Sequence, residues 1–189
     1  VAGFPIPEVL QGINAFTLGL RSVAPKAVVK VIWLNTWFDP AKEREAAMTL
    51  FNQEADVVAF HTASTAVMAA AQEQGKLAIA YHSDMRKVAP DAQLVAVTHH
   101  WGEYYKQRVQ AVLDGSWKSG TVWGGVKEGM IRVGDFGSRV PRAVQDTVLA
   151  RQQDIAEGVV WRDDTGWLAH AAEERDAGRE QRAGGASSR

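Results

Sequence analysis

The chain has no cysteine in 189 residues. That excludes a disulfide framework, a zinc site with Cys ligands and a thiol nucleophile. Net charge is almost absent: 21 Lys+Arg stand against 22 Asp+Glu, for −1 overall. The basic residues are scattered, not striped, so nothing points to nucleic acid held on a basic face. No apolar run approaches the roughly 20 residues of a membrane span. There is no G-x-G-x-x-G and no G-x-x-x-x-G-K-[ST] loop, which argues against a phosphate-rich nucleotide. The HExxH zinc pair and the G-x-S-x-G elbow are missing too, and Ser83 between His82 and Asp84 is not the long-range assembly a triad needs. Val1-Ala2-Gly3 has neither the charged nor the apolar region of a secretory leader. With no initiator Met, the chain reads as one cropped from a longer protein.

What is present is ample for a core, with 46% hydrophobic residues and 7 Trp. Short runs rich in Val, Ile and Ala, at 1–4, 28–34, 57–61, 77–81 and 94–98, alternate with helical patterns. Several are apolar on both faces, as strands of a parallel sheet covered by helices must be. The helical patterns fall at 8–22, at 40–53 behind the N-cap pair Asp39-Pro40, and at 66–74 behind Ser64 or Thr65 and closed by Gly75. Two more fall at 102–114, closed by Gly115, and at 141–157, opened by Pro141 and closed by Gly158. Residues 121–136 read as one or two strands bent at glycines, and 159–189 as a partly disordered C-terminal tail, a frayed helix or disordered stretch from about 169. Alternation of this kind implies an α/β fold with right-handed crossovers.

The strand candidates share an ending. They stop in "FPIPE", "NTWFD", "HTAST", "HSDM" and "HHWGEYY". In a parallel sheet these ends lie on one edge, where open α/β sheets bind their ligands. The edge therefore gathers Phe4, Trp33, Trp37, Phe38, Tyr81 and Trp101 with His61, His82, His99 and His100. Asn35, Asp39, Thr62, Ser64, Thr65 and Asp84 join them. Aromatic faces for stacking, beside imidazoles, hydroxyls and carboxylates at the margins, suit a flat nitrogen heterocycle. Bland roles compete. Trp33 is expected in the core, Asp39, Ser64 and Thr65 as helix caps, and Tyr104, Tyr105 and Trp117 in packing. One of His99 and His100 is expected to be structural. The candidate ligand set is Phe4, Trp37, His61, Thr62, Ser64, His82, Asp84, His100 and Trp101, with no metal site, no cofactor and no catalytic group.

Residues 1–47, "HTAST", "YHSDM" and "VTHHWGEYYKQRVQAVLDGSWKS" resemble the basic membrane protein (BMP) family of ABC-transporter substrate-binding proteins. This group includes purine nucleoside receptors, and the match runs from Val1 to about Gly158. The resemblance implies a type I periplasmic-binding-protein fold of two Rossmann-like lobes, here N-terminally incomplete. Residues 1–98 would be the second lobe, and 99–158 the hinge crossover with the rest of the first. It also implies a purine ligand, a membrane permease as partner, no nucleic acid, no enzymatic activity, and a place in the periplasm or on the cell surface as a lipoprotein. His82 falls where nucleoside-binding members have a ribose-holding aspartate, which favours a free base such as adenine. Ala63 falls where related sequences tend to read "HTDST". The rival expectations are a ligand-sensing regulatory domain on the same fold, and a metal-assisted hydrolase built on the histidines.

Overall fold

The structure, a computed structural model, describes residues 1–158. The expected tail at 159–189 lies outside the described residues. The elements run α1 (Pro7–Val23), α2 (Pro40–Asn52), β1 (Val57–Ala59), α3 (Ala66–Glu73), β2 (Leu77–His82), β3 (Gln93–His99), α4 (Gly102–Leu113), β4 (Ile131–Gly134) and α5 (Arg142–Ala156). The sheet is ordered β1-β2-β3-β4. The first three strands are parallel, and β4 pairs antiparallel to β3.

Two expected strands are reduced to bridges. Ala2 pairs in parallel with both Trp33 and His61. Around it, Ala2 N donates to Ile32 O, Leu34 N to Ala2 O, and His61 N to Val1 O. Residues 1–3 thus lie between the 31–34 segment and β1, extending the sheet without forming long ladders. Pro5 and Pro7 explain the brevity, since neither has an N–H to donate and Pro7 already opens α1. The region 121–136 yields one strand, β4, reached through a turn at Val126–Gly129.

The core lies on one face of the sheet. Ala46, Ala47, Leu50 and Phe51 of α2 and Val67, Met68, Ala70 and Ala71 of α3 pack on Val58, Ala78, Ala80 and Ala96. Alanine on the strands lets both helices approach closely. Each large side chain fully buried there, such as Met68 or Val67, contributes roughly 2 kcal/mol. Helix starts are as expected: Asp39 Oδ1 accepts from Lys42 N at 3.1 Å. At α3 the helix boundary falls on Thr65, but it is Ser64 Oγ that accepts from Ala66 N. The opposite face is packed more loosely. There α5 and the turn before it leave a cavity of about 280 Å³ among Ile79, Leu94, Val95, Phe136, Val144 and Val148.

Strand β4 returns to the same sheet, and α5 packs beside it, with Gln152 Oε1 accepting from Val133 N at 2.6 Å. Residues 100–130 leave the sheet, and that segment closes on itself where His100 N donates to Met130 O at 2.8 Å. Four consecutive β3–β4 pairs, from Ala96↔Gly134 to His99↔Ile131, are the physical reason the chain comes back.

Candidate functional site

Parallel pairing brings the polar strand ends to one edge, as expected, and there the rings touch in sequence. Phe4 meets Trp37 edge-on at 5.1 Å between centroids, and Trp37 meets His61 at 6.0 Å. His61 stacks on Tyr81 at 4.8 Å, and Tyr81 contacts His82 at 3.9 Å and His99 at 5.3 Å. His82 and His99 are 5.0 Å apart, and His99 stacks on Trp101 at 6.2 Å. The result is a ribbon of rings crossing the edge from the first strand to the start of α4. Pairs of this kind are worth about 0.5–1.5 kcal/mol beyond area burial and hold one another in orientation.

Polar contacts fix the rings further. Tyr81 Oη lies 3.0 Å from His61 Nε2, and Trp101 Nε1 donates to His99 Nδ1 at 3.0 Å. Burial pushes the Tyr81 phenol up, with the Glu8 carboxylate adding to it. Burial lowers the pKa of His82, helped by His99 and His61, and that of His99, helped by His61 and His100. His82 and His99 are therefore neutral near pH 7. Two of its ring nitrogens, His61 Nδ1 and His99 Nε2, are buried without a hydrogen-bond partner among the described residues.

Not every candidate joins the ribbon. The Thr62 and Ser64 hydroxyls donate to Glu43 Oε2, at 2.8 and 2.7 Å, from beneath the edge. Ser64 N reaches the same oxygen at 3.3 Å, and Asp39 N donates to Oε1 at 3.2 Å. Asp84 pairs with Arg86 through Nε–Oδ1 at 2.9 Å and Nη2–Oδ2 at 2.7 Å, and accepts from Gln93 Nε2 at 2.9 Å. The Arg86 guanidinium holds the Asp84 carboxyl down to about 2. His100 turns away, with Nε2 2.9 Å from Thr98 Oγ1. Alternation along β3 explains this: Thr98 and His100 share one side, while His99 points to the side of Tyr81. His82 is exposed on a left-handed backbone, φ 71°.

Three groups at this edge escaped the sequence reading. Tyr81 and His99 were noted there but left out of the ligand set, although they form the middle of the ribbon. Glu43, fully buried, was not noted at all. Its signal was legible. Glu43 stands with Ala46, Ala47 and Leu50 at steps of three, one and three, so an acid occupies the apolar stripe of α2. Gln93, 1% exposed, is set by the register shift between Ala78 and Ile79 in the β2–β3 pairing, which no sequence pattern announces. Among the described residues no group of three His, Asp or Glu side chains is placed to hold a metal ion.

Comparison with known proteins adds to the geometry. The family model described as "ABC transporter substrate-binding protein PnrA-like" matches residues 1–161. The chain is 51% identical over 136 residues to a purine-binding protein of Brucella abortus, covering 72% of this chain and 39% of that one. It is 38% identical over 155 residues to a putative ABC transporter glucose-binding protein of Haloferax volcanii, covering 82% and 40%. The chain thus spans about two fifths of the length of these relatives. Among solved structures, a transcriptional activator of the comK gene from Bacillus halodurans superposes with a TM-score of 0.72 at 23% identity, over 86% of this chain and 56% of that one. An ABC transporter solute-binding protein from Conexibacter woesei gives 0.67 at 18%, over 86% and 55%. At these identities the likeness speaks for the fold alone.

Proposed function

Since the chain belongs to the PnrA-like family of ABC transporter substrate-binding proteins, we propose that it captures a flat purine base, adenine in type, on the aromatic ribbon and hands it to a membrane permease outside the cytoplasm. The observation that carries this reading is the ribbon itself. It offers ring faces from Phe4, Trp37, Tyr81 and Trp101, and buried imidazole nitrogens of His61 and His99 that lack partners among the described residues. A flat heterocycle stacks on the first and hydrogen-bonds the second. A ligand without matching groups would leave those nitrogens unpaired, and that discriminates strongly.

In this reading Phe4, Trp37, His61, Tyr81, His82, His99 and Trp101 meet the ligand. Thr62 and Ser64 shape the loop through Glu43, and Asp84 acts through Arg86 and Gln93. His82 supports a base over a nucleoside, because the resemblance sets it where a ribose-holding carboxylate would stand. The 51% identical relative carries the name of a purine binder, which supports the same class. The segment 100–130 belongs in this reading to a crossover into a second lobe, with His100 and Met130 at its two ends. Closure of that lobe lets a permease tell loaded protein from empty, which requires the ligand to bind the closed state more tightly.

The test is to purify the full-length protein natively, denature it, and identify what it releases by mass spectrometry. Calorimetry with adenine, adenosine and glucose follows. A released or tightly bound free purine base is the expected result. A nucleoside would keep the transport role and remove the base preference. Glucose binding without purine binding would overturn the ligand class, in line with the second curated relative.

A further inference from the structure

The sequence ends β3 in His99-His100-Trp101, and the start of α4 folds Trp101 back so that its indole Nε1 lies 3.0 Å from His99 Nδ1. An indole N–H can only donate, so Nδ1 is the acceptor of this pair. A neutral imidazole has a single N–H, and in His99 it must then sit on Nε2. Charging the ring would set a second N–H against the indole N–H. Burial and the neighbouring His61 and His100 oppose that charge as well. The titratable groups about the ring are His61, His82, His100 and Tyr81. Of these, Tyr81 Oη is engaged with His61 Nε2. His99 Nε2 is buried and finds no partner among the described residues.

We propose that Trp101 sets the hydrogen-bonding polarity of the ligand site by holding His99 as the Nε2–H tautomer, so that the site offers a donor and selects ligands with an in-plane lone pair. A ring nitrogen without hydrogen, or a carbonyl oxygen, meets that demand; a C–H or N–H at the same place does not. This rests on the reading of the ribbon as the ligand site. Trp101 is in this respect a positioning residue that acts through His99, in addition to offering its face.

The experiment uses the full-length protein labelled with ¹⁵N, in the parent form and as Trp101→Phe, which keeps a ring and removes the N–H. Imidazole nitrogen spectra without ligand read the His99 tautomer and its titration. Calorimetry with adenine, 3-deazaadenine and 7-deazaadenine, each lacking one ring nitrogen, reads selectivity. In the parent, His99 is expected as Nε2–H alone, and one deaza analogue is expected to bind roughly tenfold or more weaker than adenine, the loss of one matched hydrogen bond. In Trp101→Phe the His99 titration midpoint is expected to rise, because Nδ1 is free to take a proton, and the preference for adenine over that analogue should shrink. An Nδ1–H form in the parent, an unchanged titration in the variant, or an unchanged preference would each overturn the proposal. If neither protein binds any purine, the capture reading fails and ligand selection with it. The ligand-free spectra would still decide whether Trp101 controls the His99 proton.

Discussion

Glu43 is the side chain on which the loop at the strand-end edge rests. It is buried, and it accepts from the hydroxyls of Thr62 and Ser64 and from the backbone N–H of Ser64 and Asp39. Removing the acceptor strands those donors in an apolar setting. Glu43→Ala is therefore expected to cost roughly 3 kcal/mol or more, measured as a lower urea midpoint. A variant as stable as the parent would show that water replaces the carboxylate freely. Asp84 makes a different prediction. Its carboxyl falls from 3.8 to about 2, first through the Arg86 side chain and further through Gln93. A folded-state value below the unfolded one means that the pair stabilises above pH 3.8 and loses its effect as pH falls through about 2. Exposure to solvent keeps the effect small. Asp84→Asn should flatten the acid limb of a stability–pH curve between those values, lowering stability slightly at neutral pH and leaving it unchanged below about pH 2.

At the level of elements, two glycines are required by close approach. A Cβ on Gly137 would lie 1.7 Å from Gln93 O, in the turn whose Gly137 N donates to Leu94 O. Backbone cannot give way there, so Gly137→Ala should lower the melting midpoint by roughly 5 °C or more. A Cβ on Gly3 would lie 2.6 Å from the Trp37 ring and 2.9 Å from Thr36 O. Gly3→Ala should push Trp37 out of the ribbon and weaken purine binding by roughly tenfold, with circular dichroism unchanged. Unaltered affinity would remove Trp37 from the proposed site. The helices were legible in the sequence because caps and period agree: Asp39-Pro40 at α2, and glycines with φ of 63° and 73° at positions 75 and 115 behind α3 and α4. The first two strands were legible as apolar runs but not as mere bridges, since pairing length depends on neighbours that composition does not reveal. Tyr81 and His99 were hidden for a related reason. A ring at a strand end or one residue inside it looks like core until the register of the next strand is known.

Across the whole molecule, burial is uneven. The α2–α3 face is closed, while α4 buries nothing and leaves Tyr105, Val109, Val112 and Leu113 each at least 60% exposed, with Trp123 at 77%. Apolar area of this extent is rare on a soluble monomer. The 189-residue chain by itself is expected to self-associate and to bind purine more weakly than the full-length protein. Light scattering on a sizing column checks the first and calorimetry the second. A clean monomer with undiminished affinity would contradict both.

The loop over Glu43 has a consequence for how such a site changes over generations. Thr62 and Ser64 point down to the acid, and Ala63 N donates to Trp37 O at 2.9 Å while its own side chain faces outward. The loop's shape is thus set by its flanking residues and owes nothing to the methyl group between them. A new side chain at 63 would arrive beside Trp37 on a bracket already held in place. Taste for a different ligand could be acquired there by single substitutions, without the fold being put at risk each time.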